Sequence, residues 1–170
     1  MTLLEKMEVA WIRYGMHPFF RDPILPFKET IRTAKRILIV FPADNAGGPD
    51  DGKIPRLFPD QDILALFPGR DCSSWKPSGD IGTLFLEMDR LSLFGYRKNP
   101  SLNRIAYTRF DVLIDLSLRP TTLGPYLCRI TRSPLRICLG MDEVQNFYNL
   151  HYNGMTPAGL YLFLKKIMDS

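Results

Sequence analysis

The chain has 170 residues, of which 45% are hydrophobic and 24% charged, and its formal net charge is +4. This composition predicts one globular domain and excludes a disordered chain, a collagen and a disulfide-stapled miniprotein. A net charge this small does not predict a nucleic-acid-binding protein, which would carry a clustered basic face. No stretch approaches the roughly eighteen apolar residues that a membrane span needs, so we expect no membrane span of its own.

The cysteine content favours a cytoplasmic protein. The three cysteines are an odd number without C-x-x-C spacing: Cys72, Cys128 and Cys138. The N-terminus carries early charged residues where a signal peptide would have an apolar run. Both features are typical of a reducing compartment.

The N-terminal region, residues 1–34, predicts a helix followed by a proline-rich connector. Apolar residues recur at three- and four-residue spacing within residues 2–15: Leu3, Leu4, Met7, Ala10, Trp11 and Tyr14. Two alternatives are open for this helix. It packs on its own domain, or it docks on a partner through Trp11 and Tyr14, since aromatic side chains are good interface anchors. Three prolines then predict an irregular connector over 16–26.

Residues 35–170 predict a Rossmann-like α/β domain, with a mostly parallel sheet and helices on both faces. Apolar, β-branched runs typical of strands buried on both faces alternate with helical segments. The predicted strands are 36–42, 62–67, 83–86, 110–116 and 135–139. The predicted helices are 27–33, 101–108 with Ser101 as N-cap, 121–132, and a last helix that begins at Thr156-Pro157. The expected core of the central strands is Ile37, Ile39, Val112 and Ile114.

Several kinds of site are not indicated by the motifs. No G-x-G-x-x-G or G-x-x-x-x-G-K-[ST] loop follows the first strand, and Asp50 and Asp51 would repel a phosphate there. His17 and His151 lie far apart without metal-ligand spacing, so we expect no metal and no cofactor. No G-x-S-x-G turn surrounds a serine, and a nucleophilic Cys72 has no histidine near it in sequence.

One aspartate and a group of arginines are the candidate site residues that the pattern itself provides. Asp115 lies near the carboxyl end of the strand 110–116, where open α/β sheets bind their ligands. An aspartate at a strand end also caps the following loop or helix, so both interpretations are open. The densest basic group comprises Arg119, Arg129, Arg132 and Arg136. These are either ordinary solvated side chains or a site for acidic partner residues or phosphate.

Four segments carry a family resemblance: RILIVFP, RLFPDQDILALFP, YTRFDVLIDLS and SPLRICLG. They resemble the N-terminal, acceptor-side domain of heptosyltransferase-type glycosyltransferases of the GT-B fold, over about 36–164. In that family a second domain binds the sugar-nucleotide donor, and we expect that domain to be missing here. The family's catalytic acid lies in a glycine-aspartate turn after the first strand. That role maps onto Asp44 in Ala43-Asp44-Asn45, which lacks the glycine.

The function that we predict is a non-catalytic accessory subunit or scaffold that binds another protein or a multi-subunit complex. Its predicted partner-binding residues are Trp11, Tyr14, Arg119, Arg129 and Arg132. The complex is expected on the cytoplasmic side and peripheral to the inner membrane through the partner, a photosynthetic reaction centre being one example. The alternative is an acceptor-binding glycosyltransferase component with its donor domain on another chain. Only this alternative implies a bound nucleotide-sugar.

Overall fold

The computed structural model describes residues 1–16, 26–43, 53–69, 81–87, 93–140, 144–154 and 156–169. The strands are Arg36–Val40 (β1), Asp62–Pro68 (β2), Gly82–Leu86 (β3), Val112–Asp115 (β4), Leu135–Leu139 (β5) and Leu150–Tyr152 (β6). The helices are Leu3–Gly15 (α1), Phe27–Thr33 (α2), Leu93–Lys98 (α3), Pro100–Tyr107 (α4), Leu123–Thr131 (α5) and Pro157–Asp169 (α6). Short 3-10 turns occupy Pro55–Leu57 and Gln145–Phe147.

The strands form one parallel sheet in the order β3-β2-β1-β4-β5-β6. β2 and β3 extend the sheet on one side of β1, and β4, β5 and β6 extend it on the other side. In the centre of the sheet, Ile39 lies opposite Ala65 on β2 and Ile114 on β4. This is the strand order of doubly wound nucleotide-binding folds, and it confirms the predicted α/β architecture.

Helices cover both faces of the sheet, and the alternation of side chains along the strands decides which face each residue meets. Leu38 and Leu113 lie on the face covered by α1, α3, α4 and α5. Ile37 and Ile114 lie on the opposite face, covered by α2 and α6. The predicted core residues of β1 and β4 are fully buried, which confirms them.

The N-cap of α4 lies two residues before the predicted one. Asn99 is the N-cap, and its side-chain oxygen accepts hydrogen bonds from the backbone N–H groups of Ser101 and Leu102. Pro100 then occupies the first helical position, where its missing N–H costs no hydrogen bond. The prediction of Ser101 as N-cap is therefore wrong, because Asn99, two residues earlier, satisfies the free N–H groups.

Two elements were not predicted, and two strands are shorter than predicted, the first being 36–42, which is reduced to Arg36–Val40. The helix α3 and the three-residue strand β6 carry no long periodic pattern. The strand predicted over 110–116 is reduced to Val112–Asp115. At its start, the Asp111 carboxylate accepts hydrogen bonds from the backbone N–H groups of Lys35 and Arg36, at 2.8 and 3.0 Å. This side chain ties the beginning of β1 to the segment that leads into β4.

Candidate functional site

The order in which strands are added to the sheet reverses between β1 and β4. Asp115 lies at this switch point, at the carboxyl ends of the strands. It is the last residue of β4 and is paired in register with Val40 of β1. Ligands of doubly wound sheets bind in the crevice at such a switch point. The sequence therefore placed its best catalytic candidate at the correct edge of the sheet.

The Asp115 carboxylate is enclosed and hydrogen-bonded within the fold. The residue is only 1% exposed. Its Oδ1 accepts a hydrogen bond from the Ser117 backbone N–H at 3.0 Å, and its Oδ2 accepts one from the Tyr148 hydroxyl. Burial raises the pKa of Asp115 above its ordinary value, while the hydrogen bonds from Ser117 and Tyr148 oppose that rise. Each oxygen thus has a protein donor, as a structural carboxylate requires.

The start of α5 closes over this carboxylate because Gly124 has no side chain. A Cβ atom on Gly124 would lie 2.2 Å from the Tyr148 hydroxyl oxygen and 2.3 Å from Asp115 Oδ2. The next residue, Pro125, has no backbone N–H to offer an anion at this helix N-terminus. The Asp115 carboxylate and the Tyr148 hydroxyl therefore occupy the space beside the start of α5.

Replacing Asp115 with asparagine should change how stability depends on pH. An acid whose pKa is higher in the folded than in the unfolded chain stabilises the fold fully below the unfolded pKa, about 3.9. That contribution is lost as the pH rises through the folded pKa. We expect the free energy of unfolding of the wild type to fall relative to that of Asp115→Asn from about pH 4 upward, measured by urea unfolding at several pH values. A difference that grows with pH in favour of the wild type would contradict this.

Within the described part of the chain, the cysteines add no nucleophile to this site. Asp44 and Cys72 lie outside the described residues. Cys128 and Cys138 are buried and form no disulfide, and burial raises the pKa of the Cys128 thiol well above its ordinary value. Since the thiolate is the nucleophilic form, Cys128 is suited to packing rather than to catalysis.

The predicted arginine group is divided by the fold. Arg119 and Arg132 are exposed, but they lie before and after α5, at its opposite ends. The half-buried Arg129 donates a hydrogen bond from Nη2 to the Arg13 carbonyl oxygen at 2.6 Å. The buried Arg136 donates to the carbonyl oxygens of Phe147 and Ser133, each at 2.7 Å. These four side chains do not form one exposed patch.

The inner face of α1 packs on the domain. Ile12 is fully buried and Val9 is 7% exposed, both within the core cluster that includes α5. The Arg13 guanidinium lies 5.6 Å from the centre of the Phe147 ring, and its carbonyl is held by Arg129. A capping box at the other end joins Thr2 to Glu5. The capping box stabilises the start of the helix, and its C-terminal half is fixed to the sheet domain.

The outer face of α1 is apolar and exposed. We call it the outer stripe, and it consists of Leu3, Leu4, Met7, Trp11 and Tyr14, which are 78, 65, 63, 37 and 82% exposed. At 100° per residue, these positions lie on the side of the helix opposite Val9 and Ile12. The residues that the sequence singled out as the apolar side are thus turned away from the domain. Contiguous apolar surface of this kind is typical of interaction sites.

A basic side chain from α3 lies on the outer stripe. The Arg97 guanidinium is 4.5 Å from the centre of the Trp11 ring. The preceding residue, Tyr96, is buried, and its hydroxyl forms a 2.8 Å hydrogen bond with the Thr122 hydroxyl just before α5. Burial raises the pKa of Tyr96 to about 12, so the hydroxyl stays protonated. This anchor positions Arg97, which sequence reasoning missed because the contact joins distant segments.

Comparisons with protein-family models, with curated proteins and with solved structures find no match to this chain. Among the described residues, no three His, Cys, Asp or Glu side chains lie close enough together to hold a metal ion. No helix in the described ranges is both long and apolar enough to cross a bilayer.

Proposed function

We propose that this protein is a non-catalytic docking subunit that binds another protein through the outer stripe of α1. One observation carries the proposal: a helix fixed on its inner face by Ile12 leaves five large apolar side chains exposed on its outer face. Exposed aromatic and aliphatic groups at the centre of such a patch, here Met7 and Trp11, are typical binding hot spots.

The carboxyl edge of the sheet supports the same proposal. Asp115 and Tyr148 are hydrogen-bonded at the carboxyl end of β4, and Gly124 brings the start of α5 directly onto them. A carboxylate enclosed in this way is better suited to a structural role than to turnover. Cys128 and Cys138 are buried without a disulfide, which fits the cytoplasmic location that we propose for the complex.

The proposal is tested by native capture of tagged protein followed by mass spectrometry. We expect the wild type to recover a partner in near-stoichiometric yield and Met7→Glu to lose it. A matched control is Leu162→Glu, which places the same charge on an exposed apolar site of α6 on the opposite layer. Neither exposed site should alter stability by more than about 0.5 kcal/mol.

Two outcomes would contradict the docking function. One is equal recovery of the same proteins by the wild type and by Met7→Glu. The other is a reproducible rise in melting temperature with one nucleotide-sugar. A ligand at 100 times its dissociation constant stabilises a fold by about 2.7 kcal/mol, and such a rise would favour the alternative function as a glycosyltransferase component.

A further inference from the structure

The strand β3 forms one edge of the sheet and is accessible there. It pairs with β2 on one side, and among the described residues no strand pairs with its other side. Gly82, Thr83 and Phe85 are exposed, and the Phe85 side chain is 51% exposed. An edge of this kind presents a row of backbone N–H and C=O groups that another extended segment can pair with. The backbone groups themselves therefore specify a strand as the occupant.

The hydrogen bonds to β2 show which backbone groups of β3 point outward. The Leu86 carbonyl oxygen accepts a 2.8 Å hydrogen bond from the backbone N–H of Gly69, the residue that follows β2. Because the N–H and C=O groups of successive strand residues point to alternate sides, those of Leu84 also face β2. The N–H and C=O groups of Thr83 and Phe85 therefore point away from the sheet.

The sequence of β3 lacks the features that normally protect an exposed edge. Its five residues, GTLFL, include no charged residue and no proline. Its register with β2 is continuous, without a bulge. Charged residues, prolines and bulges on an edge strand oppose pairing with another chain. In their absence, β3 is suited to pairing.

A row of aromatic rings crosses the sheet and ends at this edge. Phe41 follows β1, and its ring centre lies 4.4 Å from that of Phe67 in β2. Phe67 is paired in register with Phe85, and their ring centres are 5.5 Å apart. The first two rings are buried, whereas Phe85, the last of the row, is half exposed. A strand added beside β3 would cover the exposed part of this ring.

The strand β3 is complementary to a second copy of itself in antiparallel orientation. A two-fold axis midway between the two Leu84 residues places Thr83 of each copy opposite Phe85 of the other. Since both residues direct their backbone groups outward, each of these pairs would exchange both hydrogen bonds. The Thr83 side chain would also lie beside the exposed Phe85 ring. Glu87, the charged residue just after β3, would lie opposite Ile81 and not opposite another carboxylate.

We propose that this protein forms a two-fold symmetric dimer in which the β3 strands of two copies pair antiparallel, with Leu84 at the axis. The two six-stranded sheets join into one continuous sheet. Such a contact closes on itself, because both copies use the same surface and neither β3 edge is left for a third copy. The dimer uses the edge of the sheet and does not involve the outer stripe of α1, so it is independent of the docking function.

Analytical ultracentrifugation of the full chain tests the dimer. We expect the wild type to shift from monomer to dimer between about 1 and 100 μM, as for a weak contact of the size of one strand. Phe85→Lys places a charge on the edge and should raise the dissociation constant at least about tenfold. Thr83→Pro removes one outward N–H and leaves the bonds to β2 in place, and it should have the same effect. The matched control Leu162→Lys, at an exposed site on α6, should dimerise as the wild type does.

Cysteine crosslinking tests the register. The two Leu84 residues would form a non-hydrogen-bonded pair with Cα atoms about 4.5 Å apart, within the roughly 4.4–6.8 Å range of disulfides. With Cys72 replaced by serine and oxidised glutathione as the oxidant, Leu84→Cys should therefore give a covalent dimer. Thr83→Cys is the matched control and should not, because the two Thr83 residues are displaced along the strands beyond the reach of a disulfide.

The proposal is overturned if the wild type stays monomeric up to about 100 μM, or if Phe85→Lys and Thr83→Pro dimerise as the wild type does. It is also overturned if Thr83→Cys crosslinks and Leu84→Cys does not, because the strands would then pair in another register. A dimer that is abolished by Met7→Glu would overturn it as well, since the contact would run through the outer stripe. The docking function is tested separately, by native capture with Met7→Glu.

Discussion

Replacing Ile114 with alanine lowers the free energy of unfolding by about 2–5 kcal/mol. Ile114 is fully buried in β4, with Ile39 of β1 and Ile137 of β5 as its register neighbours. Truncation removes buried apolar surface and leaves a cavity, because strands paired on both sides cannot close around the gap. Urea unfolding monitored by circular dichroism measures the loss.

A graded series separates packing from any general effect of mutation at this position. Ile114→Val removes one methyl group and should cost about 0.5–1.5 kcal/mol. Leu162→Ala, at a 65% exposed site on α6, should change stability by no more than about 0.5 kcal/mol. If Ile114→Ala unfolds at the same urea concentration as the wild type, β4 is not a central strand of the core.

The sheet could be predicted because its strands are buried on both faces. Such strands have continuous runs of apolar and β-branched residues, as in RILIV and LRICL. A continuous run predicts that both faces of the strand are buried. The edge strand β6 has only half-buried and exposed residues over Leu150–Tyr152, so it leaves no comparable signal. The parallel direction of the strands also follows from their alternation with helices, since parallel strands need crossover connections.

The orientation of α1 could not be predicted from periodicity. The strongest apolar pattern, which includes Leu4, Met7 and Trp11, faces away from the domain, while Val9 and Ile12 face inward. Periodicity shows that apolar residues share a side of a helix, but it does not show what covers that side. Here the helix is apolar on two sides, and the pair buried in the core is the smaller set.

The environment of Asp115 could not be predicted from the sequence, because it depends on residues that are distant along the chain. The end of the strand was recognisable, but the Tyr148 hydroxyl comes from 33 residues further along the chain. The close approach of Gly124 likewise depends on how α5 packs over β4. Contacts of this kind are set by tertiary packing, and no local pattern encodes them. For Asp44 the role implied by the family resemblance stays a prediction, since the residue lies outside the described ranges.

The central claim, that α1 is packed through one face and binds through the other, is tested most directly by measuring stability and partner affinity on the same variants. Trp11→Ala should lower the free energy of unfolding by about 1–2 kcal/mol, less than the loss of a fully buried side chain, since the 37% exposed ring loses its contacts with Arg97 and Gly15. It should weaken binding to the captured partner by about 2 kcal/mol or more.

The matched variant Ile12→Ala should show the opposite pattern. Its unfolding free energy should fall by about 2–5 kcal/mol, because Ile12 is fully buried, while the folded fraction binds the partner as the wild type does. The account predicts this crossed result from the two variants. A Trp11→Ala variant that loses about 3–5 kcal/mol of stability and keeps its affinity would contradict it.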